Sequence, residues 1–132
     1  MVCFEPSITG TAMTGNANVQ SCAIWNNVSR MTGTVTLTRT ATTFSLDFAN
    51  GLSFTGAITG NQVSLTHIEP HSFEDGCTWQ STETLTGTVD PTTCVLSLSY
   101  DYEEMVTVSN GACASPCTGM ADVSLEITPI VQ

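Results

Sequence analysis

Lysine is absent from the 132 residues, and arginine occurs only at Arg30 and Arg39. Against these two cations stand 12 Asp and Glu, which leaves a formal net charge of −10. That balance argues against nucleic acid as a partner, because neutralising phosphates takes Lys and Arg. It argues equally against anionic membrane surfaces. No apolar run approaches the ~20 residues of a spanning helix, so no membrane insertion is expected. Catalytic motifs are missing as well: there is no Gly-x-Ser-x-Gly elbow, no phosphate loop and no His-Glu-x-x-His. No cofactor is called for. Helix periodicity is nearly absent. Apolar residues nevertheless make up 41% of the chain, enough to form a core and too many for a disordered acidic tail. The length suits a single domain over residues 1–132.

Six cysteines are present: Cys3, Cys22, Cys77, Cys94, Cys113 and Cys117. A zinc site favours tight pairs, and only Cys113 and Cys117 lie close together, so three disulfides are expected. The implied setting is an oxidising compartment: secreted, periplasmic or cell-surface. Met1-Val2-Cys3 leads straight into Phe4-Glu5-Pro6, and Met1 is therefore expected to be a start placed on a mature secreted sequence.

Apolar residues recur at every second position, with Thr, Ser and Val between them, the pattern of pleated, half-buried strands. Turn signals interrupt it at Thr14-Gly15-Asn16, Ala49-Asn50-Gly51, Gly60-Asn61, Glu74-Asp75-Gly76, Asp90-Pro91 and Asn110-Gly111. Eight strands follow, at about 7–20, 31–40, 43–49, 52–59, 62–69, 77–89, 94–108 and 119–130. Their short connections imply an antiparallel meander. The expected fold is all-β, an eight-stranded up-and-down barrel stapled by disulfides, which removes the sheet edges. A β-sandwich is the alternative.

The meander and the repeats Thr9-Gly10-Thr11, Thr32-Gly33-Thr34 and Thr86-Gly87-Thr88 resemble the calycin-type barrels, which include lipocalins and avidins. They also resemble small, Thr/Gly-rich secreted bacterial proteins. The resemblance is one of architecture. Ile8-Thr9-Gly10-Thr11-Ala12 lacks the lipocalin tryptophan, and with only Trp25 and Trp79 the avidin ligand site has no counterpart.

A meander places successive turns at alternate ends. If the first strand starts at the bottom, Cys3 and Cys94 fall at the bottom and Cys22, Cys77, Cys113 and Cys117 at the top. Both sets are even, and Cys3–Cys94 is the expected bottom staple. At the top, Cys22–Cys117 with Cys77–Cys113 is expected because closure sets the eighth strand beside the first. Cys22–Cys77 with Cys113–Cys117 is the alternative.

Alternation assigns an inner face to each strand: Val35, Leu37 and Arg39; Phe44, Leu46 and Phe48; Leu52, Phe54, Gly56 and Ile58; Val63, Leu65 and His67. The next three strands contribute Trp79, Ser81, Glu83, Leu85, Gly87 and Val89; Leu96, Leu98, Tyr100, Tyr102 and Glu104; and Val123, Leu125 and Ile127. This face is apolar except at Arg39, His67, Ser81, Glu83, Tyr100, Tyr102 and Glu104. A carboxylate inside a barrel is costly unless paired or hydrogen-bonded. A hairpin turning near Pro91-Thr92 puts Glu83 opposite Tyr100 and Ser81 opposite Tyr102. On a structural reading, Arg39 neutralises Glu83 and the network plugs the barrel. On a functional reading, Arg39, His67, Trp79, Glu83, Tyr100 and Tyr102 form the polar end of an apolar pocket.

His67-Ile68-Glu69-Pro70-His71 is a second constellation. In an extended chain His67, Glu69 and His71 share a face, a two-His-one-carboxylate set for divalent metals. Pro70 is expected to interrupt the strand there, so no stoichiometric metal is expected. Trp25, Phe73 and Trp79 mark the same end as the mouth. The favoured function is a secreted binding barrel holding a small, largely apolar ligand. The alternatives are a self-associating structural or surface subunit with a plugged interior, and a barrel cyclase, isomerase or hydrolase using Glu83, Tyr100 and His67.

Overall fold

The computed structural model describes residues 3–4, 7–18, 31–49, 51–72, 78–108 and 122–130, with side chains omitted at 14–18, 71–72, 79, 104–108 and 122. Eight strands run in chain order: β1 (Ser7–Asn18), β2 (Gly33–Arg39), β3 (Phe44–Phe48), β4 (Ser53–Thr59), β5 (Gln62–Ser72), β6 (Thr78–Val89), β7 (Leu96–Val108) and β8 (Asp122–Pro129). Each pairs antiparallel with the next, and β8 pairs with β1 to close a barrel. The up-and-down barrel therefore holds and the sandwich does not.

The strands are strongly tilted. A row of paired residues starting at Arg39, at the low end of β2, passes through Phe44, Gly56, Leu65, Leu85, Tyr100 and Val123. It returns to β1 at Ala17, near the upper end, although β1 set out beside Arg39 with Ser7 paired to Thr38. Such a stagger is what closing a sheet requires. Gly56 and Gly87 allow the coiling. A Cβ on Gly56 would stand 2.0 Å from the Ser64 carbonyl oxygen, and one on Gly87 the same distance from that of Ser97. No other residue fits at either place.

Alternation sorts the side chains as the pattern implies. Leu37, Phe44, Leu46, Phe54, Leu65, Leu85, Leu96 and Leu125 are fully buried and pack as one cluster through the barrel. Each contributes ~1.5–3 kcal/mol of hydrophobic stabilisation. Outside, Thr34, Thr36, Thr86 and Thr88 face solvent. At the foot, Phe4 stacks obliquely on Phe44 at 5.6 Å between ring centroids, and a Cys3–Cys94 disulfide ties the chain start to the β6–β7 turn. A disulfide fits an oxidising compartment. Cys22, Cys77, Cys113 and Cys117 lie outside the described residues, as do Trp25 and Phe73.

Two local expectations are corrected. Glu83 stands opposite Tyr102, not Tyr100, and Ser81 opposite Glu104. The cause is the turn. The Asp90 amide donates to the Val95 carbonyl (2.9 Å), the Cys94 amide donates to the Asp90 carbonyl (2.7 Å), and the Asp90 carboxylate accepts from the Thr92 amide at 2.8 Å. Cys94 takes a left-handed conformation (φ 59°), so β7 begins later and the register slips by two, which preserves the faces. Nor does Pro70 end β5, which runs on to Ser72 with Pro70 paired to Gln80. The ladder to β4 spans only Thr66 to Gln62, so on that side Pro70 lies on an edge, where a missing N–H is tolerated. Among the described residues no helix is long and apolar enough to cross a membrane.

Candidate functional site

The polar residues of β5, β6 and β7 sit at matching heights because the three strands share register. Leu65, Leu85 and Tyr100 form one inward row. One step up lie His67, Glu83 and Tyr102, and above them Glu69, Ser81 and Glu104. Along β5 and β6 the inner face passes from aliphatic to polar at the level of His67 and Glu83, and along β7 one row lower, at Tyr100. Glu83 and Ser81 are the fully buried polar residues among those described, and Tyr100 and Tyr102 are buried with them.

Glu83 is held from two sides. The Tyr100 hydroxyl donates to Glu83 Oε1 from the diagonal position across the hairpin. Glu83 Oε2 faces His67 Nε2 at 3.8 Å, and Glu69 Oε2 lies 3.7 Å from the same nitrogen. The Ser81 hydroxyl donates to the Glu69 carbonyl oxygen at 3.4 Å. Phe54 closes the apolar side, with its ring centroid 5.7 Å from that of His67 and edge-on to Tyr100 at 6.5 Å. Desolvating a carboxylate costs several kcal/mol, and a charge-assisted hydrogen bond of the tyrosine type offsets part of it. His67 and Glu69 are only partly covered, so the cluster runs from the buried carboxylate out to solvent.

Arg39 does not belong to the site. Alternation puts it on the inner face, but it stands at the foot of the barrel, where its guanidinium donates to the Cys3 carbonyl at 3.5 Å. Glu83 meets a phenol and an imidazole in place of the expected cation. Glu69 comes in, through its register opposite Ser81. Trp79, His71 and Glu104 hold strand positions in register above the site, and their side chains lie outside the described residues.

The donor set is acceptor-rich: two carboxylates, an imidazole and two phenols at the edge of an apolar core. It can hold a positive charge or a hydrogen-bond donor. The Tyr100 hydroxyl and Glu83 share a hydrogen bond, and His67 Nε2 stands 3.8 Å from the other carboxylate oxygen. No family model matches the chain, and neither does any curated protein or solved structure.

Proposed function

We propose that this protein is a secreted, calycin-like binding barrel that takes a small ligand at the upper end of the β5–β7 wall. Glu83, Tyr100, Tyr102 and His67 are the polar contacts, and Phe54 is the apolar floor. The carrying observation is the fully buried Glu83, set between the Tyr100 hydroxyl and the partly open His67. An apolar side chain there would be cheaper for a purely structural barrel. With Arg39 at the foot and the apolar cluster filling the barrel below, the ligand is not a long apolar molecule threaded through it. It is a compact one with a positive or hydrogen-bond-donating group for Glu83 and an apolar part against Phe54. The single disulfide described and the acidic, Thr-rich exterior support an extracytoplasmic setting.

Native mass spectrometry of the full chain from its natural source tests this, together with thermal-shift titration of small amines, guanidines and neutral donors. A retained mass, or stabilisation that Glu83→Gln removes, is the expected result. No retained mass and no stabilisation by any probe overturns the proposal. That outcome leaves the second reading, a structural unit with a plugged interior, which the filled lower barrel favours.

A further inference from the structure

We infer that His67, Glu69 and Glu83 form a site for one divalent transition-metal ion of the zinc class, reached from the upper end of the barrel. This rests on the proposed reading of that end as a cation-seeking site and adds an inorganic cation to what it holds. The three side chains bring one imidazole nitrogen and two carboxylate oxygens to within 4.8 Å of one another. Each comes from a strand rather than a loop: His67 and Glu69 are successive inward residues of β5, and Glu83 pairs directly with His67 from β6.

The spacing suits an ion better than a direct contact. His67 Nε2 stands 3.7 Å from Glu69 Oε2 and 3.8 Å from Glu83 Oε2, both too long for a hydrogen bond. With one ligand atom from each residue, all within 4.8 Å of one another, a point exists within about 2.8 Å of all three. Zinc bonds to imidazole nitrogen and carboxylate oxygen measure ~2.0–2.2 Å, so the three groups need to close by less than about an ångström. A nitrogen in the set selects against calcium and magnesium, which favour oxygen-only shells.

The surroundings match what a metal ligand needs. The Tyr100 hydroxyl engages Glu83 Oε1 and leaves Oε2 turned toward the imidazole, the outer-shell orientation that fixes a ligating carboxylate. The ion's charge would offset the burial of Glu83. Three protein ligands, two of them partly open, leave at least one coordination position for water or a ligand atom.

Isothermal titration of zinc chloride into the full chain, stripped with chelator beforehand, is the test, with calcium chloride as comparison. One zinc per chain is expected, at micromolar affinity or tighter, with no comparable calcium binding. Glu69→Gln, a half-exposed change that spares the fold, should weaken zinc at least tenfold, and His67→Ala more. Tyr100→Phe should weaken it about 10–100-fold through the lost orientation of Glu83. Glu103→Gln, on the exposed face of β7, should leave it unchanged. Cobalt(II) in place of zinc should give visible d–d absorption that Glu69→Gln alters. Absence of stoichiometric zinc, preference for calcium, or binding indifferent to both Glu69→Gln and His67→Ala overturns the inference. If zinc fails while organic cations stabilise the protein through Glu83, only the metal assignment falls. If neither binds, the binding reading falls with it.

Discussion

The lower and upper halves of the β5–β7 wall are built from the same strands with the same alternation, yet they do opposite things. Below, Val63, Leu65, Leu85, Val89, Leu96 and Leu98 close the interior against Phe44 and the disulfide. Above, the strands change character within one row of each other, to His67 and Glu69, to Glu83 and Ser81, and, a row lower, to Tyr100 and then Tyr102. A stray polar residue needs only one strand to depart from the pattern. Here three adjacent strands depart within one row of each other, which is what gathers the polar groups into one cluster. An apolar foot and a polar top are separated along a single wall.

Substitutions should sharpen that contrast, with the largest effect at the foot. Phe44→Ala removes a fully buried ring and should cost about 3–5 kcal/mol in urea unfolding. Cys3→Ser with Cys94→Ser should cost about 2–5 kcal/mol, because the bond closes a separation of 91 residues. At the top, Tyr100→Phe keeps the ring and removes the hydroxyl that serves Glu83, an expected loss of about 1–3 kcal/mol. A Tyr100→Phe loss matching that of Phe44→Ala would erase the distinction between the halves. Smallest is Arg39→Leu, expected within about 1 kcal/mol and additive with Glu83→Gln, since the two side chains share no partner. A coupling energy beyond ~0.5 kcal/mol between them would restore an ion pair across the interior.

Arg39 shows where sequence reading stops. Alternation reports which face a residue occupies, and Arg39 does face inward, but its height depends on strand tilt, which no local pattern encodes. Glu83 was legible as a buried carboxylate for the same reason. Its neighbours were not, because the Asp90–Cys94 turn sets a register that two-residue periodicity leaves free by any even slip. Pro70 misled in the other direction: its local preference gave way because the adjacent ladder had already ended. Hence His67 and Glu69 share a face as the extended reading implied, and among the described residues Glu83 of β6 joins them. The Cys3–Cys94 bond was readable throughout, because parity needs only the strand count.

The barrel has one seam. Every pairing but β1–β8 joins strands adjacent in sequence, and these can zip as successive hairpins, whereas β1 and β8 meet only after the whole meander has curled. Until that joint is made, both strands present unpaired edges, the surfaces on which β-proteins associate with copies of themselves. The Cys3–Cys94 bond anchors the foot of β1 beneath the β6–β7 turn, and so keeps the first strand near the last ones whenever the seam opens. A reduced chain lacks that tether, so reduction is expected to raise self-association in mild urea, which light scattering checks.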